Sequence, residues 1–256
     1  MTMSVDGQRA LEDFWQSQVA GTPLPMAWAG RLSLNEGCLL QLAIADRWAE
    51  RGNARTGWKV AATSAAVQAQ LGVTEPGFGS LRQSKTYQQG YILPASQYVK
   101  PHVEVEICVE VGDGIDKAET IEDVSASLVR CFPAFELIEK RITVLDFGFA
   151  LADNAEHTAV VVGDSFDPST MALDEVEVRV TLNGQPAGAA FGRAALGHPL
   201  NSVLWLKQRV AELGGVIRPG DLIMTGSLVR QIPVEAGDVV RAEYTELGAL
   251  ELKVDH

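Results

Sequence analysis

The apolar residues near the start of the chain recur at the spacing of an α-helix. One set lies on a single helical face: Ala10, Leu11, Phe14, Trp15 and Val19. The glycine and prolines of residues 21–25 interrupt this pattern. A capping-box pattern at Ser33 and Glu36 opens a second helical face, which contains Leu39, Leu40, Ala43, Ile44 and Trp48 and ends at Gly52 and Asn53. We therefore predict a helical N-terminal region over residues 1–55.

From residue 56 onward, alternating runs replace the helical spacing. The clearest runs from Val99 to Val111, where aliphatic residues alternate with Glu104, Glu106, Cys108 and Glu110. This period of two predicts a strand with two different faces. Shorter strands are predicted over residues 158–162, 175–182, 222–225 and 239–244, and one helix over residues 200–213. Residues 56–256 are therefore predicted to form a β-rich body, which makes the fold class α+β.

Composition and charge argue against some classes of partner. The chain has 256 residues, of which 46% are hydrophobic, and its formal net charge is −12. An acidic surface repels phosphate backbones and anionic lipids, so neither nucleic acid nor membrane is expected as a partner. No apolar run approaches the ~20 residues of a membrane-spanning helix, and Met1 to Trp15 lacks a signal pattern. We expect a cytoplasmic protein whose three cysteines, Cys38, Cys108 and Cys131, are buried reduced thiols.

Three glutamates are candidate ligands of a divalent cation. Glu104 and Glu106 are two residues apart on the predicted strand, so their carboxylates project from the same face and repel each other. A cation would relieve this repulsion, and an all-oxygen site suits Mg²⁺ or Mn²⁺. Glu136 lies in an apolar segment, where an unpaired carboxylate is costly to bury. The alternatives are a solvated strand face for the pair and a surface position for Glu136.

Lys59 is the candidate for proton transfer. It stands alone among small and apolar residues between Thr56 and Ser64, where its pKa could be lowered. The alternative is an ordinary surface lysine.

Two polar turn sequences are candidates for binding a substrate carboxylate. They contain Asp153 and Asn154 in one case, and Thr225 and Ser227 in the other. The alternative is a purely local role in the turns. His157 and His198 belong to no metal-ligand pattern, which favours a structural role for each. Nucleotide-binding glycine loops and the G-x-S-x-G pattern of serine hydrolases do not occur.

Six segments, taken in order, resemble the 2-keto-4-pentenoate hydratase and 4-oxalocrotonate decarboxylase family, within the fumarylacetoacetate hydrolase superfamily. They are residues 57–64, 103–106, 134–142, 152–155, 197–206 and 220–227. The resemblance implies N-terminal helices before a β-rich, mixed-sheet body of the fumarylacetoacetate hydrolase C-terminal type. It also implies Glu104, Glu106 and Glu136 as ligands of Mg²⁺ or Mn²⁺, a catalytic Lys59, and a homo-oligomer, either a pentamer or a decamer.

The activity implied by the resemblance is a lyase reaction on a small 2-oxo acid. The leading interpretation is a hydratase that adds water to a 2-hydroxy-2,4-dienoate through a metal-chelated enolate. The alternative is a decarboxylase of a 4-oxalocrotonate-like 2-oxo dicarboxylate. An acylpyruvate-type C–C hydrolase ranks lower, because no histidine precedes His102. A non-catalytic partner subunit is the remaining hypothesis.

The chain departs from its relatives at two places. Gly77 stands where many relatives carry an acidic residue, and Glu156 and His157 follow Asn154 where relatives have small residues. We predict that His157 faces the pocket, which adds it to the candidate substrate-binding residues. Both departures leave room for a different substrate.

Overall fold

The computed structural model describes residues 3–141 and 146–255. Ile142, the last residue of one segment that carries the family resemblance, lies outside the described residues, as does Met1. The α-helices in the described residues are α1 (Val5–Ala20), α2 (Leu34–Glu50), α3 (Ala65–Leu71), α4 (Ile121–Ala126), α5 (Phe147–Ala152) and α6 (Pro199–Glu212). Within this part of the chain, no helix is both long enough and apolar enough to cross a membrane.

Both N-terminal helices begin at a serine cap, of which Ser33 is the one predicted from the sequence. The Ser4 hydroxyl accepts a hydrogen bond from the Gly7 N–H at the start of α1, and α2 opens with a complete capping box between Ser33 and Glu36. Both helices pack with α5 into a separate apolar cluster that includes Phe14, Leu40 and Phe149. Helix α5 thereby connects the helical region to the β-rich body.

The described residues contain thirteen β-strands. They are β1 (Arg55–Ala61), β2 (Gly77–Arg82), β3 (Thr86–Gln88), β4 (Ile92–Leu93), β5 (Pro101–Val111), β6 (Leu128–Glu139), β7 (His157–Val162), β8 (Glu177–Leu182), β9 (Gln185–Phe191), β10 (Leu222–Met224), β11 (Ile232–Pro233), β12 (Val239–Tyr244) and β13 (Gly248–Val254).

These strands form two mixed sheets. The larger sheet has the order β2-β1-β10-β5-β6-β7-β3, with β11 also paired to β5, and the smaller sheet has the order β4-β13-β12-β8-β9. Parallel pairs, such as β1 with β10, occur beside antiparallel pairs, such as β5 with β6. The predicted α+β fold with N-terminal helices and a mixed-sheet body is therefore confirmed.

The long strand β5 lies near the middle of the larger sheet and has the two faces that its alternation predicts. Its odd-numbered residues from Val103 to Val111 belong to the main apolar core, which also takes in the smaller sheet and α6. Its even-numbered residues face the opposite side. The cores on both faces also bury the three cysteines, all of which are free thiols, as expected.

Candidate active site

The sheet register brings the three predicted glutamates together. Glu104 of β5 pairs directly with Glu136 of β6, and Glu106 lies two residues further along β5 on the same face. One carboxylate oxygen from each residue lies within 4.8 Å of the others. Glu106 and Glu136 are fully buried, whereas Glu104 is partly accessible. The alternative of a solvated strand face does not describe this arrangement.

The electrostatics of this cluster favour a cation. Burial and the charge of Glu136 raise the pKa of Glu104 to about 7 and raise the pKa of Glu106 well above its ordinary value. Among the described residues, neither Oε1 of Glu106 nor Oε2 of Glu136 has a hydrogen-bond partner, although both are buried. Buried carboxylate oxygens without partners are costly. An all-oxygen donor set of this kind fits Mg²⁺ or Mn²⁺.

Two groups orient the glutamates from neighbouring segments. The side chain of Gln231 donates a hydrogen bond of 2.6 Å to Oε1 of Glu104, and the Gly226 N–H donates one of 2.7 Å to Oε2 of Glu106. Gly226 has a φ of 112°, and a Cβ at this position would lie 2.4 Å from the side chain of Thr63, so only glycine fits. Sequence reasoning missed Gln231, because it lies outside every motif and reaches Glu104 only through the fold.

Lys59 is buried within the site. Its Nζ atom lies 3.0 Å from Oε1 of Glu136 and donates to the Ala155 carbonyl at 3.1 Å. Burial by itself would lower the pKa of Lys59, but the carboxylates of Glu136, Glu104 and Glu106 raise it above its ordinary value. The expectation of a lowered pKa was therefore wrong, because the sequence does not show that three carboxylates surround this amine. The alternative of a surface lysine is also excluded.

His157 lies beside the glutamate cluster. Its Nδ1 atom is 2.9 Å from Oε1 of Glu136, and its buried Nε2 atom has no partner among the described residues. Burial lowers the pKa of His157, which favours a neutral ring that donates from Nδ1 to the carboxylate. Its contact with substrate stays a prediction. His198, in contrast, caps α6 by accepting a hydrogen bond from the Leu200 N–H, which is a structural role.

Asp153 and Asn154 lie next to the site with their side chains engaged. The Asp153 carboxylate is 2.6 Å from Nη2 of Arg141, and burial raises its pKa to about 7 despite this partner. The Asn154 side chain bonds the backbone of Ser80 twice, accepting from its N–H at 2.8 Å and donating to its carbonyl at 3.0 Å. Their contacts with substrate stay predictions.

The second polar turn lies between β10 and β11. The hydroxyl of Thr225 donates to the Ile107 carbonyl, and that of Ser227 donates to the Val229 carbonyl. Thr225 is fully buried and fixes the turn against β5. The turn therefore holds the Gly226 N–H on Glu106, and a contact of either hydroxyl with substrate stays a prediction.

The packing around Gly77 leaves no room for a side chain. A Cβ at this position would lie 2.5 Å from Leu151 and 2.6 Å from Phe147, both of α5. Helix α5 therefore occupies the space in which another side chain would stand.

The chain belongs to the fumarylacetoacetate (FAA) hydrolase family. The family model described as "Fumarylacetoacetate (FAA) hydrolase C-terminal" matches residues 59–255. Among curated proteins, the chain is 29% identical over 254 residues to a 2-keto-4-pentenoate hydratase of Paraburkholderia xenovorans (strain LB400), covering 97% of this chain and 94% of that protein. It is 34% identical over 192 residues to a 2-hydroxyhexa-2,4-dienoate hydratase of Comamonas testosteroni, covering 71% of each chain.

A solved structure is similar over nearly the whole length. It is a 4-oxalocrotonate decarboxylase from Pseudomonas putida G7, complexed with magnesium and adipate, with a TM-score of 0.91 and 27% sequence identity. The match covers 99% of this chain and 100% of that chain. Within the family, the chain is a lyase of the hydratase or decarboxylase type.

Proposed function

We propose that the chain is a divalent-cation-dependent hydratase that adds water to a 2-hydroxy-2,4-dienoate, with 2-hydroxypenta-2,4-dienoate as the simplest substrate. The observation that carries this proposal is the buried cluster of Glu104, Glu106 and Glu136 with Lys59 against it. The hydratase relatives support the reaction class. The same cluster with an intact lysine argues against a non-catalytic partner subunit.

In this proposal the three glutamates hold Mg²⁺ or Mn²⁺. When bound, the cation supplies Lewis-acid stabilisation of the negative charge that develops on a 2-oxo acid. One buried oxygen each on Glu106 and Glu136 has no hydrogen-bond partner in the described part of the chain, and these atoms are the ones most directly available to the cation. Gln231 and Gly226 fix the carboxylates of Glu104 and Glu106, so the donor set is ordered before binding.

Lys59 is proposed to move the proton. Converting the dienol to its 2-oxo tautomer removes the proton of the C2 hydroxyl and delivers a proton to carbon, and Nζ of Lys59 is the group proposed to carry the proton between these two atoms. Glu136 and the Ala155 carbonyl orient Nζ by their contacts at 3.0 and 3.1 Å. Asp153, Asn154, His157, Thr225 and Ser227 are proposed to line the substrate space, either directly or by holding the groups that do.

A spectrophotometric assay tests the proposal. The purified protein should consume 2-hydroxypenta-2,4-dienoate in the presence of Mg²⁺ or Mn²⁺, with loss of the dienol absorbance. Glu106→Gln should lower kcat/KM by about 100-fold or more, because it removes a charged donor from the site. The matched control is Glu110→Gln on the same strand, whose carboxylate pairs with Arg130 instead.

A decarboxylase is the second candidate. The structural similarity to 4-oxalocrotonate decarboxylase favours it, and the same cluster could serve either reaction. Release of CO₂ from 4-oxalocrotonate, without turnover of the dienoate, would replace the hydratase by this candidate. A folded protein without measurable Mn²⁺ affinity would instead favour the non-catalytic subunit.

A further inference from the structure

An ion pair between Lys140 and Glu156 lies beside the glutamate cluster. Lys140 follows β6 directly, four residues beyond Glu136, and the period of two continues the same face to it. The backbone N–H of Lys140 donates a hydrogen bond to the Lys100 carbonyl, which extends the pairing of β5 with β6. Burial raises the pKa of Glu104, and the charge of Lys140 is close enough to oppose this rise.

Glu156 is fixed on Lys140 by its neighbours along the chain. Asn154, Ala155 and Glu156 have successive φ values of 59°, 51° and 63°, a left-handed run that non-glycine residues rarely adopt. The Ala155 carbonyl accepts from Lys59, and His157 contacts Glu136. The side chain of Glu156 hydrogen-bonds Lys140 in the interval between these two anchored residues.

The two arginines near this ion pair, Arg141 and Arg82, also contact other side chains. Arg141 pairs with Asp153 at 2.6 Å and lies 3.6 Å from Glu139, and Arg82 packs 5.1 Å from the ring of Trp48. We define the site rim as Glu139, Lys140, Arg141, Asp153 and Glu156. Both bases of the rim already have a carboxylate partner, since Lys140 pairs with Glu156 and Arg141 pairs with Asp153. The rim therefore offers a carboxylate no unpaired positive charge among the described residues.

We infer that the Lys140–Glu156 pair is a specificity determinant of the site, which disfavours a second carboxylate at the far end of the substrate. The inference rests on the proposed function and decides between its two candidates, because a 4-oxalocrotonate-like substrate carries a carboxylate at each end. A distal carboxylate would have to displace Glu156 from Lys140 or Asp153 from Arg141, or lie against these acids without a cation of its own. Both arrangements weaken binding.

Two 2-oxo acids of equal length test the inference. They are 2-oxohexanoate and 2-oxoadipate, which differ only in a terminal methyl group or carboxylate. Binding to the Mn²⁺-loaded protein is measured by isothermal titration calorimetry, so the result does not depend on turnover. We expect the unmodified protein to bind 2-oxohexanoate at least about tenfold more tightly.

Glu156→Gln should remove this preference. The amide is nearly isosteric but leaves the charge of Lys140 uncompensated, so 2-oxoadipate should gain about tenfold in affinity relative to 2-oxohexanoate. The matched control is Glu139→Gln, which removes the same charge from the rim but leaves Lys140 paired. It should change the affinity ratio by less than about threefold. Adding Lys140→Met to Glu156→Gln should restore the preference, because no free cation remains.

The outcomes separate this inference from the proposed function. Equal affinity of the unmodified protein for the two acids would overturn the inference, as would an unchanged ratio in Glu156→Gln. Either result, together with metal-dependent hydration of the dienoate, would leave the proposed function standing. A folded, Mn²⁺-loaded protein that binds neither acid and does not hydrate the dienoate would overturn both the inference and the proposed function.

Discussion

At the scale of single residues, Glu136 links the groups of the site. Its Oε1 atom contacts both Lys59 and His157, while its buried Oε2 atom has no partner among the described residues. Burial would raise the pKa of Glu136, but Lys59 and His157 hold it below its ordinary value. Glu136 is therefore the most strongly ionised of the three glutamates. Its two neighbours can be tested separately.

Substitution of Lys59 should separate proton transfer from cation binding. Lys59→Met keeps the aliphatic bulk but removes the amine, so we expect kcat to fall by about 100-fold or more. Mn²⁺ affinity should be retained or increased, because a positive charge beside the carboxylates is lost. Electron paramagnetic resonance titration of Mn²⁺ and the dienoate assay measure the two effects. Lys253→Met, at an exposed position, is the control. Loss of Mn²⁺ binding in a folded Lys59→Met protein would make the lysine structural.

Substitution of His157 should act mainly through Glu136. His157→Ala removes the hydrogen bond at 2.9 Å that orients this carboxylate, and Mn²⁺ affinity should fall by about 10- to 100-fold. His157→Asn, whose amide can donate from a position close to that of Nδ1, should recover part of the loss. His198→Ala removes a histidine that caps α6 and should leave Mn²⁺ affinity unchanged. Unaltered Mn²⁺ binding in His157→Ala would contradict the positioning role.

At the scale of elements, strand β5 and the left-handed run contribute to the site in different ways. The alternation of β5 predicts that Glu104 and Glu106 share a face, and the structure confirms it. Strand β6 carries no such signal, because residues 131–138 are buried on both faces. The left-handed run at residues 154–156 contains no glycine, so its conformation could not be predicted from residue types.

The two hydrogen bonds between the Asn154 side chain and the Ser80 backbone should stabilise this left-handed run. Asn154→Ala removes two buried hydrogen bonds to Ser80 and should lower the free energy of unfolding by about 3 kcal/mol, with reduced activity because the Ala155 carbonyl also orients Lys59. Asn183→Ala is the matched control, since Asn183 is also left-handed, with φ of 53°, but its side-chain bonds are exposed. It should cost about 1 kcal/mol and leave activity intact. Chemical denaturation measures both. Equal losses of unfolding free energy in the two variants would show that the hydrogen bonds from Asn154 to Ser80 do not stabilise the fold.

At the scale of the whole molecule, the sequence pattern predicts the class of fold but not the assembly of the site. Lys59 lies in β1 and shares a row across the larger sheet with Met224 and Cys108. These residues come from distant parts of the chain, so local periodicity contains no information about their pairing. Only the family resemblance predicted that Lys59 and the three glutamates belong to the same site. Assembly into a homo-oligomer stays a prediction from that resemblance.

The response of the whole protein to pH should depend on the cation. Without metal, the raised pKa of Glu104, about 7 against ~4.3 when unfolded, means that its protonated form stabilises the fold. That contribution is fully present below pH ~4.3 and is lost as the pH rises through about 7. Glu106 acts in the same direction. A bound cation keeps these carboxylates ionised, so its stabilising effect must grow over the same pH window.

Thermal unfolding with and without Mn²⁺ measures this coupling. At pH 8 and a metal concentration near 100 Kd, the stabilisation should be about 2.7 kcal/mol, which raises Tm by about 5–10 °C. At pH 5.5 protons compete for Glu104 and Glu106 and weaken binding by about 30-fold or more, so the same Mn²⁺ concentration should raise Tm by at most about 2–4 °C. The buried Asp153 also has a pKa of about 7, but its contribution is common to both measurements and cancels in the difference. Glu106→Gln should abolish the Mn²⁺ effect at both pH values. A Mn²⁺ effect that is equal at pH 5.5 and pH 8 would place the cation away from these carboxylates.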